Sequence, residues 1–74
     1  MNLENFIDGI NVLRPYYNKP DGYHMGAEHD QFYMYKTDKP LTEENQQKML
    51  SLGWFQPEQK SEAYDPENGW SAFV

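Results

Sequence analysis

Hydrophobic positions near the start of the chain repeat with the spacing of one helix face. They are Leu3, Phe6, Ile7, Ile10 and Leu13. Apolar residues at i, i+3, i+4 and i+7 line one stripe of an α-helix, so this segment predicts an amphipathic helix. Asn2 is a suitable N-cap, and Arg14-Pro15 is expected to end the helix because the residue before proline avoids helical geometry.

The pattern then changes to that of β-strands. A Pro-Asp-Gly sequence predicts a turn at 18–22. The segment 31–35 reads Gln-Phe-Tyr-Met-Tyr and is the strongest strand prediction, while 23–27 is a weaker one. Residues 28–30 either turn the chain between two strands of a hairpin, which we favour, or lie within one long bent strand.

The segment 41–53 predicts a second helix with defined ends. Thr42 is expected to cap its start, and Gly53 suits the left-handed residue that ends many helices. Its buried face is predicted to consist of Met49, Leu50 and Leu52.

Two aromatic segments follow, a strand that starts at Trp54 and a last strand at 70–74. A turn is predicted at 65–69, and the simplest arrangement pairs these two strands. The element order is then α-β-β-α-β-β. We therefore predict a single α+β domain over residues 1–74, in which helices pack on one face of a small antiparallel sheet of three to four strands.

Alternation along the strands predicts which aromatic rings the helices leave uncovered. Tyr33 and Tyr35 lie on the face opposite Phe32 and Met34. Aromatic residues make up 16% of the chain, and such residues serve both cores and binding surfaces. The predicted binding residues are Tyr33, Tyr35 and Phe73 on the open face, with Glu28, Asp30 and Glu62 at its rim.

Acidic residues outnumber basic ones by twelve to six, which gives a net charge of −6. Binding to a phosphate backbone depends on Lys and Arg, and Arg14 is the only arginine, so we expect no direct nucleic-acid binding. A negative field instead favours basic partners. The plainer interpretation is that acidity keeps a small protein soluble.

The sequence also bears on location. It has no cysteine, no basic and apolar leader at its start, and no apolar run near the roughly 20 residues that a membrane span needs. Without a thiol there is neither a disulfide nor a cysteine nucleophile. We expect a cytoplasmic protein with no membrane partner.

Motifs for catalysis and metal binding are sparse. The one cluster is His24, His29 and Asp30, whose imidazole and carboxylate groups suit zinc or other divalent ions. In a continuous strand, however, His24 and His29 point to opposite faces. No serine or threonine has a histidine beside it, and no glycine-rich loop suits a phosphate. We therefore expect no enzyme activity and no cofactor, with metal binding at this cluster as an alternative.

The segment from Glu28 to Val74 resembles small uncharacterised proteins of bacteriophages and prophages. The resemblance rests on His29-Asp30 before a strand, Leu41-Thr42-Glu43-Glu44 opening a helix, Leu50-Ser51-Leu52-Gly53-Trp54 closing it, and Trp70-Ser71-Ala72-Phe73-Val74. It implies a phage accessory or host-interaction factor, which would be located in the host cell cytoplasm, and it supplies no mechanism.

Together these observations predict a small acidic module that binds another protein. One alternative is mimicry, in which carboxylates posed like phosphates inhibit a nucleic-acid-binding protein. A second is a divalent-metal-binding protein that uses the histidine cluster. A third is self-association through the open sheet face, which gives a homodimer.

Overall fold

The computed structural model describes residues 1–57 and 63–74. Its elements are helix α1 (Leu3–Leu13), a 3-10 turn (Arg14–Tyr16), strands β1 (Met25–Glu28) and β2 (Gln31–Met34), helix α2 (Glu43–Ser51) and strand β3 (Trp70–Phe73). The strands form one antiparallel sheet in the order β1-β2-β3. The predicted α+β class is confirmed.

Both helices begin at the predicted caps. Asn2 accepts a hydrogen bond from the backbone N–H of Asn5 at 2.7 Å, and Thr42 accepts one from the N–H of Asn45 at 3.2 Å. Each cap satisfies a donor that the first turn of a helix leaves unpaired. Gly53 follows α2 with a φ of 93°, which confirms its role as the left-handed terminator.

The hairpin interpretation of the first two strands is also confirmed. Glu28 pairs with Gln31, so His29 and Asp30 form a two-residue loop. His29 has a φ of 56°. Positive φ at the first loop residue belongs to the turn types whose twist matches that of a hairpin, and histidine tolerates this region better than most residues.

The strand predicted from Trp54 is shorter than expected. Among the described residues of this segment, only Phe55 bridges to β3, where it exchanges two backbone hydrogen bonds with Ser71, at 2.9 and 2.7 Å. Pro57 has no N–H to continue such a ladder. The sheet therefore has three strands and one added bridge.

The core fills the space between the helices and one face of the sheet. Its buried hydrophobic residues are Leu13, Tyr17, Met34, Leu41, Met49, Trp54, Trp70 and Ala72. The ring of Phe6 lies 4.9 Å from that of Phe32 and 5.7 Å from that of Trp54. Such aromatic contacts add to the free energy gained by burying the rings.

The two predicted helix faces are buried only in part. On α1, Leu3 and Ile7 are 69% and 43% exposed, and on α2 Leu50 is exposed although Met49 is buried. The apolar stripe of α1 is wider than the surface it meets, because β1 is an edge strand and no described strand lies beyond it. One side of that stripe therefore stays uncovered.

Neither helix in the described ranges is long and apolar enough to cross a membrane.

Candidate binding surface on the open face of the sheet

The sheet face away from the helices carries two pairs of aromatic rings. Tyr33 on β2 directly opposes Gly26 on β1 and Ser71 on β3. Directly opposed residues place their side chains on the same face, and Phe55 joins this face through its bridge to Ser71. We call this surface the open face; its aromatic residues are Tyr33, Tyr35, Phe55 and Phe73.

The first pair consists of Tyr33 and Tyr35, whose ring centroids lie 5.8 Å apart at 52°. Tyr33 is half-buried because its ring covers Gly26, where a Cβ atom would lie 2.6 Å from the ring. Tyr35 is 51% exposed. Its N–H donates to the carbonyl of His24 at 2.8 Å, and its carbonyl accepts the Tyr17 hydroxyl at 2.5 Å. The backbone of Tyr35 is thus fixed while its ring faces solvent.

Phe55 and Phe73 form the second pair, with centroids 5.1 Å apart. Phe73 is 57% exposed. Between the two pairs, the side-chain amide of Gln31 donates to the hydroxyl of Ser71 at 3.2 Å. Because Ser71 is fully buried, this bond gives its hydroxyl the partner that a buried polar group needs. The open face is therefore two apolar areas joined by a polar centre.

A groove of about 380 Å³ runs beside the tyrosine pair. Its opposite wall includes Pro57 and Asn68. One part of the lining is an ion pair between Lys36 and Glu67 at 2.9 Å. The hydrogen bond from Glu67 and the charge of that carboxylate raise the pKa of Lys36. Both side chains are exposed, so the pair adds little to stability and mainly neutralises charge there.

Gln56 holds the groove wall in place. Its amide nitrogen donates to the carbonyls of Asp65 and Asn68 at 2.7 and 3.2 Å, and its amide oxygen accepts the N–H of Asp65 at 2.8 Å. Asn68 in turn donates to the carbonyl of Pro57 at 2.6 Å. The predicted turn at 65–69 is confirmed by the bond from Asn68 N–H to the Asp65 carbonyl at 3.1 Å. Sequence reasoning missed Gln56, because a lone glutamine in a polar segment carries no periodic signal.

Gly69 allows the backbone at the end of the 65–69 turn to lie close against the backbone of strand β2. A Cβ atom at this position would lie 2.2 Å from the carbonyl oxygen of Met34. Only glycine permits so close an approach of backbone to backbone.

The predicted acidic rim is present in part. Glu28 lies on the open face opposite Gln31, and Asp30 lies in the hairpin loop; both are exposed. Glu62 lies outside the described residues. The two predicted rim acids that the structure describes are therefore at the hairpin end of the open face, whereas Glu67 lies in the ion pair with Lys36.

The histidine cluster is not assembled. His24 stacks on Tyr17 with centroids 4.3 Å apart, just before β1. His29 lies beyond the other end of β1, about 16 Å away for five residues of extended chain. Within residues 1–57 and 63–74, no group of three His, Cys, Asp or Glu side chains is placed to hold a metal ion. The arrangement therefore does not support the metal-binding alternative.

No family model, no curated protein and no solved structure matches this chain. A function can therefore be inferred only from the geometry of the site.

Proposed function

We propose that this chain is a small, non-enzymatic protein-binding module whose open face receives a basic segment of another protein. The observation that carries this proposal is the exposure of Tyr35 and Phe73 on one face of the sheet, where hydrogen bonds hold the N–H and C=O of Tyr35 and the C=O of Phe73. Such a module would serve as a phage-encoded accessory or host-interaction factor.

The fixed backbone supports the proposal energetically. Tyr35 is held by two backbone hydrogen bonds, and the carbonyl of Phe73 accepts the N-terminal ammonium of Met1 at 3.1 Å. A partner would therefore bury rings that are already in position, so little chain entropy is lost on binding. Tyrosine is also among the residues that contribute most to binding at interface centres.

Charge selects the kind of partner. The net charge of −6 attracts basic proteins over long range, and Glu28 and Asp30 present carboxylates at the hairpin end. Lysine or arginine side chains of the partner would meet these acids while its apolar residues cover the rings. This combination predicts moderate weakening of binding by salt, whereas pure phosphate mimicry predicts a steep loss.

The test is affinity capture from a bacterial lysate with the wild-type chain, the double variant Tyr35→Ala/Phe73→Ala, and Leu50→Ala as a control on an exposed apolar residue of α2. We expect a protein that the wild type and the control retain and the double variant loses. NMR shifts on adding that purified protein should be largest at Tyr33, Tyr35 and Phe73. Equal capture by all three chains, or shifts confined to another surface, would contradict the proposal.

A further inference from the structure

The groove beside the tyrosine pair combines aromatic rings with charged groups. Its lining includes Tyr33, Tyr35, Lys36 and Glu67. An aromatic ring attracts a cation through the negative charge of its face, and a carboxylate attracts it through its full charge. Half of Tyr35 and most of the Glu67 side chain are exposed, so a ligand in solvent can reach both groups.

Lys36 already places a cation in this groove, and it is held loosely. Its ammonium lies 2.9 Å from a carboxylate oxygen of Glu67, while 55% of the Lys36 side chain and 77% of the Glu67 side chain are exposed. An ion pair this exposed is worth little, because water solvates both charges and two long side chains must be held in one geometry. Lys36 can therefore leave Glu67 at small cost.

The charges around Lys36 leave this region negative. The hydrogen bond and the charge of Glu67, and then the charge of Asp38, raise the pKa of Lys36. A third carboxylate, that of Asp65, accepts the backbone N–H of Glu67 at 2.9 Å. Three carboxylates thus lie near one ammonium, in a chain whose net charge is −6. A cationic ligand suits this field, whereas an anionic ligand would be repelled.

The backbone that carries Glu67 is held in place. The side-chain amide of Gln56 donates to the carbonyls of Asp65 and Asn68, on either side of Glu67. On the opposite side of the groove, the N–H and C=O of Tyr35 are both hydrogen-bonded. The ring and the carboxylate therefore project from two fixed segments, so a ligand that contacts both costs little chain entropy.

We infer that the tyrosine pair and Glu67 form the subsite for an arginine side chain of the partner, an inference that rests on the proposed function. The guanidinium group would lie against the ring of Tyr35 and donate two parallel hydrogen bonds to the carboxylate of Glu67, from which Lys36 moves away. The apolar residues of the partner then cover the second ring pair, Phe55 and Phe73.

Lys36 itself favours arginine over lysine as the ligand. A lysine of the partner would offer Glu67 the same ammonium that Lys36 already supplies from within the chain, at a higher effective concentration. Arginine adds what an ammonium lacks, namely a planar group that stacks on a ring and a fork of donors that matches both carboxylate oxygens. Lys36 thus acts as an internal competitor, which arginine displaces more readily than lysine does.

The test is an NMR titration of the full chain with N-acetylarginine amide, up to the hundred-millimolar range. N-acetyllysine amide and N-acetylcitrulline amide are the matched probes, since citrulline keeps the shape of arginine without its charge. We expect the largest arginine shifts at the ring protons of Tyr33 and Tyr35, with dissociation constants about fivefold or more higher for lysine and citrulline. Equal shifts with all three probes, or arginine shifts confined to other residues, would overturn the inference.

Two charge variants test Glu67 and Lys36 separately. Glu67→Gln should weaken arginine binding about fivefold or more, because the charged acceptor is lost. Lys36→Met removes the competitor and should strengthen arginine binding about twofold or more.

The matched controls are Glu43→Gln and Lys48→Met, which make the same charge changes at exposed positions of α2 and should have smaller effects. Amide spectra check that each variant is folded. If Glu67→Gln binds arginine as well as Glu43→Gln does, the subsite is wrong. If Lys36→Met binds arginine no better than Lys48→Met does, Lys36 is not a competitor.

These titrations use no captured protein, so their failure is distinct from failure of the proposed function. A chain that captures a partner through Tyr35 and Phe73, yet shows no arginine shifts at the tyrosine pair, would keep the function and lose the arginine subsite. Capture by the variant Tyr35→Ala/Phe73→Ala tests the function itself.

Discussion

The two faces of the sheet differ in how far their aromatic rings are covered. On the helix-covered face, Phe6 of α1 packs against Phe32 and Trp54, and Trp54 is almost completely buried. On the open face, Tyr35 and Phe73 belong to ring pairs of similar spacing, but no helix covers them. Ring pairs of similar spacing therefore stabilise the fold on one face and remain partly exposed on the other. The two faces differ in whether a helix packs over the rings, and not in whether they carry rings.

The largest expected difference between the faces concerns Trp54. Its ring is almost completely buried, and its indole N–H donates to the carbonyl of Asn5 at 3.2 Å. Replacement by alanine should lower the free energy of unfolding by about 3–5 kcal/mol. In a chain this small, that loss removes most of the stability. Urea denaturation followed by circular dichroism measures it, and a loss below about 1 kcal/mol would contradict the assignment of Trp54 to the core.

Alkaline pH should weaken the hydrogen bond from the hydroxyl of Tyr17, in the core, to the carbonyl of Tyr35, on the open face. Burial raises the pKa of Tyr17 to about 12 from its ordinary value of 10.0. The neutral phenol donates to the carbonyl of Tyr35, and it is favoured in the folded state. This contribution is complete below pH 10 and is lost as the pH rises towards 12, by about 2–3 kcal/mol.

The control for this pH dependence is Tyr17→Phe, which keeps the ring and removes the titrating group. Its unfolding free energy should fall less than that of the wild type between pH 10 and pH 12. Equal slopes for the two chains would show that Tyr17 does not carry the effect.

Gly9 tests how tightly the covered face is packed. A Cβ atom there would lie 2.0 Å from the indole nitrogen of Trp54. Helix propensity alone predicts that Gly9→Ala stabilises the chain by about 1 kcal/mol. Overpacking against Trp54 reverses the sign, and we expect a loss of about 1–3 kcal/mol. A stabilised variant in thermal unfolding would mean that α1 and Trp54 are less closely packed than described.

The smallest expected effect on stability belongs to the open face. Tyr35→Ala should change the unfolding free energy by less than about 1 kcal/mol, because half of the ring is already in solvent and its backbone bonds remain. Chemical denaturation beside Trp54→Ala checks this. A loss comparable to that of Trp54→Ala would place Tyr35 in the core.

Local sequence signals predicted the bounds of the helices and the hairpin better than they predicted which side chains are buried. The helix caps Asn2 and Thr42, the terminator Gly53 and the hairpin loop each depend on a few neighbouring residues, and all were predicted. The exposure of Leu3 and Ile7 depends on how narrow the sheet is, which the sequence of α1 does not contain.

The candidate site was likewise predicted where it depends on neighbouring residues and missed where it depends on distant ones. Alternation was enough to place Tyr33, Tyr35 and Phe73 on one face. The sequence pattern predicted that the segment from Trp54 pairs with 70–74, but not the register that brings Phe55 beside Phe73. It also could not reveal that Gln56 would hold a turn nine residues away, because that contact forms only when distant segments meet. The metal cluster was expected as an alternative because its residues are close in sequence, yet strand β1 separates His24 from His29 and Asp30.

The most direct measurement of the central claim pairs stability with binding in one variant, Tyr35→Ala/Phe73→Ala. If the open face exists to receive a partner, this chain should unfold at nearly the same urea concentration as the wild type. Its affinity for the captured partner should fall by about 2 kcal/mol or more, which calorimetry can measure. Unchanged affinity, or unfolding as severe as that of Trp54→Ala, would contradict the account.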